Sequence, residues 1–210
     1  MQSVLIGTII KQRRKDLKLT QEQLCSGICD PVSLSRIETG KQVPSRSIVN
    51  ALLQRLGLPD TRYYALSSKH ELEIEALKKE IIACNVTRDV DNGFQKLLQL
   101  ENLISSDDHL IHQFILRSKA LLGSFDKRYT YDEQIDMLLS AIRLTVPNFN
   151  IGEINKYLYA FDEIKAIIQI ANVHLNLQHK EQAIDIFYQL LKYVRNHYQE
   201  VITSGKITLL

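Results

Sequence analysis

The sequence predicts an all-α protein in two parts: a small head of short helices and a longer body of stacked helical hairpins. Three observations predict this. The first 66 residues divide into five short helix-period segments, bounded by capping residues, prolines and glycines. Beyond residue 73, proline disappears except for Pro147, and long segments of helical period follow one another. The charge is split the same way, with ten Lys/Arg against five Asp/Glu in residues 1–68 and 16 against 19 in residues 69–210. A basic head on a mildly acidic body leaves the head as the part suited to a polyanion. The expected division is a head over 1–66, a polar linker over 67–73 (SSKHELE) and a body over 74–210.

In the head, Leu5, Ile9, Ile10 and Leu17 recur at helical spacing and predict a first helix over 4–17, with Lys11, Arg13, Arg14, Lys15 and Lys18 crowding its exposed end. Thr20 and Gln23 have the spacing of a capping box, so a second helix starts at Gln21. Gly27 stops that helix near Ser26. Asp30-Pro31 restarts the chain, with Asp as N-cap and Pro at the first helical position, where its missing N–H is not needed. The third helix is then Pro31–Glu38, closed by Gly40. Pro44-Ser45 opens a fourth, with Ile48, Leu52, Leu53 and Leu56 on one face, and Pro59 opens a fifth.

The body reads as helices near 71–84, 90–105, 108–122, 131–146, 152–158, 160–178 and 181–198. Gly93, Gly123 and Gly152 fall 30 and 29 residues apart, a hint of repeated hairpins. The last pair is the clearest. Ile167, Ile170, Ala171, Leu175, Ala183, Phe187 and Leu190 fit the small/large pattern of a tetratricopeptide repeat, with alanines where two helices approach closely.

The function classes excluded are instructive. Cys25, Cys29 and Cys84 have no disulfide-framework spacing, and no leader or apolar run of membrane-spanning length occurs, so a cytoplasmic location is expected. Cys25 and Cys29 lack the histidines or second thiol pair of a zinc site, and Cys25 is expected in the core of the second helix. His109 and His112 beside Asp107 and Asp108 lack a third ligand and read as a solvated helix start. No P-loop, GxSxG or GxGxxG motif is present, and neither catalysis nor a metal or other cofactor is expected.

LTQEQL at 19–24, LSRIETG at 34–40 and the Pro44-Ser45 start of helix four resemble the Xre/Cro-type helix-turn-helix family, the lambda-repressor-like fold. The turn GICDP is one residue shorter than the commonest family pattern. In this layout a short helix enters the major groove and meets base edges with its first turn. The resemblance assigns Gln21 to a phosphate and Pro31, Val32 and Arg36 to base-facing positions. Ser33 and Ser35 are short enough to bond either phosphate or base. Thr39 and Lys41, with Arg46, are expected on the DNA backbone. Arg36 is the residue able to make a bidentate contact to guanine. Arg14 and Glu38 match a family ion pair that ties helix one to the end of helix three and orients the reading helix.

LCSGICDPVSLSRIETGKQVPS and YLYAFDEIKAIIQIANVHL, a helix-turn-helix head followed by tetratricopeptide-like helices, resemble the peptide-responsive regulators of Gram-positive bacteria, the Rgg and PlcR (RRNPP) group. The resemblance implies a homodimer that binds an inverted repeat in double-stranded DNA, with a concave groove for a short signalling peptide. Side-chain amides grip a peptide backbone independently of its sequence. Lys165, Gln169, Asn172 and Asn176 are the candidate groove residues, with Gln113 and Arg117 upstream; the alternative for each is an ordinary polar helix surface. A constitutive phage-type repressor or antitoxin, or an adaptor whose repeats dock a protein partner, is the alternative.

Overall fold

The computed structural model describes residues 2–58 and 69–198, with side chains from Ile6 onward. Among the described residues it is all-helical. The head contains α1 (Gln2–Asp16), α2 (Gln21–Cys25), α3 (Pro31–Glu38) and α4 (Arg46–Arg55). The body contains α5 (Lys69–Thr87), α6 (Val90–Leu103), α7 (His109–Phe125), α8 (Tyr131–Arg143), a 3₁₀ segment (Ile151–Lys156), α9 (Phe161–Asn176) and α10 (Lys180–His197).

The expected start and stop signals operate. The Thr20 hydroxyl accepts from Gln23 N (3.1 Å) while Gln23 Oε1 accepts from Thr20 N (2.8 Å), completing the capping box. Asp30 Oδ1 accepts from Ser33 N at 2.8 Å, with Pro31 in the first turn. At the other end of α3, Gly40 sits at φ +71°. The Lys41 N–H donates to Arg36 O (2.8 Å) and the Gly40 N–H to Ile37 O (3.0 Å), the paired bonds of a Schellman ending.

Ile10, Leu24, Leu34, Ile37, Leu52 and Leu56 form the head's core, and Cys25 packs among them at 1% exposure. In the body each helix packs on the next. α5 also touches α7 and α7 touches α9, so these three share a face, as in a solenoid of hairpins. Ala171 and Ala183, the expected close-approach positions, are fully buried.

Two expectations meet a different outcome, and a third is not reached by the described residues. Lys69–Glu73, read as linker, form the first turn of α5; polar composition marks an exposed helix start as readily as a linker, and the helical period already runs through Ile74, Leu77 and Ile81 on the buried face. The helix expected over 152–158 is the 3₁₀ segment, broken at Glu153 (φ −134°, ψ 36°). The expected fifth helix from Pro59 lies outside the described residues.

The head is seated directly on the body. Gly27, at φ +69°, passes so close to Thr145 that an added Cβ would lie 2.2 Å from its carbonyl oxygen. Gln54 Oε1 accepts from Phe161 N (2.9 Å), the Tyr198 hydroxyl donates to Gln54 O (2.9 Å), and His197 Nε2 bonds Arg55 O at 2.6 Å.

Candidate nucleic-acid interface

The local sequence of α3 fixes what the head presents. Its residues Leu34, Ile37 and Glu38 are buried, which turns the opposite face, with Pro31, Val32 and Arg36, outward. Pro31, Val32 and Arg36 are exposed, Val32 at 59% despite its apolar side chain. An exposed valine beside an arginine on the first turns of a short helix is the arrangement that can meet a thymine methyl and a guanine edge together. Thr39 and Lys41 lie exposed just beyond the helix.

Some candidates already have intramolecular partners. The Ser33 hydroxyl donates to Asp30 Oδ2 at 2.6 Å, and the Thr39 hydroxyl donates to Ser35 O at 2.9 Å. Ser35 is half-buried. Arg46 is half-buried where α4 meets α5, its N–H bonded to Glu71 Oε1 at 3.0 Å, so this residue belongs to the seam between head and body.

Arg14 and Glu38 form the expected pair, and in a bidentate geometry: Nε to Oε1 at 2.6 Å and Nη2 to Oε2 at 2.9 Å. Arg14 Nη1 also donates to Leu19 O at 2.8 Å, so one guanidinium joins α1, the start of α2 and the end of α3. Gln21 Nε2 donates to Glu38 Oε2 at 2.9 Å, which brings the residue assigned to a phosphate into this structural cluster. Burial of Glu38 works to raise its pKa, but the hydrogen bonds from Arg14 and Gln21 and the Arg14 charge outweigh it, and the net shift is downward. Arg14 is correspondingly raised, by its hydrogen bond to Glu38 first.

The cysteines behave as packing residues. Burial pushes the Cys25 thiol up and the Cys29 thiol up to about 12, so neither is a thiolate at neutral pH.

The residue that sequence reasoning missed is Arg55. It is 2% exposed at the end of α4, and its Nη1 donates to Leu24 O (3.1 Å) and Ser26 O (2.5 Å) at the end of α2. Its Nη2 donates to Thr145 O (3.0 Å) in the body and lies 3.9 Å from Glu163 Oε1, a carboxylate without exposed surface. Thr145 Oγ1 donates to the same Glu163 oxygen. Burial pulls the Arg55 pKa down, opposed by the Glu163 charge. The available signal was an arginine inside the apolar run ALLQRL, at a position that the helical period places inward.

The body's candidates separate into three groups. Gln113 is 1% exposed, and its amide donates to Ala141 O (3.0 Å) and Thr145 Oγ1 (2.7 Å), so it faces inward between α7 and α8 rather than toward a groove. Arg117 is 5% exposed, pairs with Asp162 at 3.1 Å and lies over the Phe114 ring; Lys165, which is exposed, lies one turn further along α9 from Asp162. Gln169, Asn172 and Asn176 come together around a hollow of about 80 Å³ with Gln134 and Ser124 opposite. The Gln169 Oε1 there is buried without a partner.

Residues 5–64 match the family described as Helix-turn-helix domain. No curated protein matches the chain by sequence. Among solved structures, the chain is similar in fold to the crystal structure of Bacillus thuringiensis PlcR in complex with the peptide PapR7 and DNA. That match has a TM-score of 0.52 and 20% identity, and covers 96% of this chain and 74% of that one. No helix among the described residues is long and apolar enough to cross a membrane. The head is therefore a helix-turn-helix domain, carried on an all-helical body with the PlcR fold.

Proposed function

We propose that the protein is a sequence-specific DNA-binding transcriptional regulator of the cytoplasm whose activity is gated by a short signalling peptide bound on the body. The observation that carries the DNA reading is the exposed Pro31, Val32 and Arg36 face of α3, locked from behind by the bidentate Arg14–Glu38 pair. The peptide reading is supported by the likeness to a peptide- and DNA-bound regulator and by the side-chain amides gathered on α9. Gln169, Asn172 and Asn176 are the preferred contacts, with Lys165 earlier on the same helix a further candidate.

A homodimer on an inverted repeat fits the symmetry of such regulators. Ile184, Tyr188 and Leu191 on α10 stand 64%, 68% and 43% exposed at spacings of four and three, an apolar stripe suited to a second copy. The deciding experiment adds synthetic peptides from neighbouring small reading frames to a DNA-shift assay with the full chain. A peptide that changes affinity, and loses that effect in Asn172→Ala, supports the reading. Constant affinity across all peptides overturns it in favour of a constitutive repressor.

A further inference from the structure

A cleft of about 540 Å³ opens between head and body, bounded by Leu19, Gln23 and Ser26 on one side and by the ends of the 3₁₀ segment and α10 on the other. Its volume falls within the roughly 300–1,000 Å³ of small-molecule sites. The ionised side chains around it are cationic: Arg55, Lys156 and Lys192, with His197 beside them, and no Asp or Glu is among the described residues that line it. Lys156 is paired with Glu153 at 2.5 Å, whereas Lys192 has no carboxylate at ion-pair distance among the described residues. Arg55, almost wholly buried in the wall, keeps an Nε without a hydrogen-bond partner.

The other surfaces complement this charge. Asn148 and Asn196 are exposed at the rim and offer amide donors. Tyr157, Leu158, Val146 and Pro147 line the rest of the wall, three apolar side chains and an aromatic ring. With Arg55 compensated by Glu163 and Lys156 by Glu153, the Lys192 ammonium and the amide donors are what suit an oxyanion, and the wall suits a ring. The volume is too large for phosphate alone.

We propose that this cleft binds a small phosphorylated compound of mononucleotide size, its phosphate held by Lys192 and the asparagine amides and its ring against Tyr157. Because head and body both line the cleft, an occupant contacts both and favours the seated arrangement. The site is separate from the face shared by α5, α7 and α9 and does not depend on peptide gating.

The test is calorimetric titration of the full chain with adenosine 5′-monophosphate, inorganic phosphate and adenosine, with thermal melting in parallel. The monophosphate is expected to bind and raise Tm, inorganic phosphate to bind more weakly, and adenosine not to bind. Lys192→Glu, an exposed change, is expected to weaken monophosphate binding roughly tenfold or more, the loss of a charge-assisted bond, with unchanged melting of the free protein. Asn196→Asp provides a second variant of the same sign. Absence of binding by the monophosphate at millimolar concentration, equal binding of the monophosphate and inorganic phosphate, or binding unaffected by Lys192→Glu would overturn the proposal. So would Lys192→Glu weakening duplex DNA binding while the monophosphate titration stays flat, which would make Lys192 a DNA-backbone contact.

Discussion

At the scale of single residues, the head divides into side chains that face outward and side chains that hold them there. Arg36 and Lys41 test the outward set. Arg36→Ala is expected to relax preference at one base pair by about 1–3 kcal/mol, measured by competition against operator variants. Lys41→Ala is expected to weaken all sequences alike and reduce the salt slope by about one. Equal losses on specific and random DNA for Arg36→Ala would make it a phosphate contact.

Glu38 tests the supporting set. Replacing it with Gln leaves Arg14 without its counter-charge at the base of α3, with an expected loss of about 3 kcal/mol in urea unfolding. The Glu38 carboxyl is held below its ordinary value, so its contribution is complete above the unfolded pKa of about 4.3 and is lost as pH falls through the lower folded value. The Glu38→Gln variant should therefore lose less stability than the parent across that acid window. The pairing of Arg14 with Glu38 was legible from family resemblance. The donation from Gln21 was not, because an amide within reach of both a carboxylate and a phosphate has no sequence feature that selects between them.

At the scale of elements, boundaries are set by short-range chemistry and were largely readable. Thr20, Asp30 and Ser45 each accept from the backbone N–H three residues on, as their spacing requires. Thr20→Ala removes one such bond and is expected to lower stability by about 1 kcal/mol, seen as a lower thermal midpoint with unchanged α3 surface chemistry. The elements that misled are those whose fate depends on distant partners. The 3₁₀ segment has helix-compatible residues, yet Ile154 N is bonded to Gln189 Oε1 on α10 (3.1 Å) and the Tyr159 hydroxyl to Ile154 O (2.9 Å). These bonds hold the segment in a tighter path than its own composition favours.

At the scale of the whole molecule, the sequence separated head from body by charge and composition; the inward position of Arg55 in ALLQRL marked a buried charge but not the partners it meets across the seam. The seam is built from pairs far apart in the chain: Arg55 with Thr145 and Glu163, Gln54 with Phe161, and His197 with Arg55. No local pattern encodes such pairs, and Gln113 was misread for the same reason: its partner Thr145 lies 32 residues away. Glu163→Leu leaves the Arg55 charge buried without its counter-ion. It is expected to destabilise the protein by about 3 kcal/mol and to split a single calorimetric transition into separate head and body transitions. One shared transition at the parental midpoint would show that the pair does not couple the two parts.

The close passage of Gly27 over the Thr145 carbonyl bears on how such heads can be exchanged between proteins. A domain borrowed from a relative with the longer, commoner turn would bring a different backbone path to the place where even one carbon added to Gly27 would meet the Thr145 carbonyl. Its helices could fold and its reading face could form, yet it would not seat. The abbreviated turn therefore acts as a fitting, matched to this body in length as a key is matched to its lock, and chimeras should be joined with turn and body taken together.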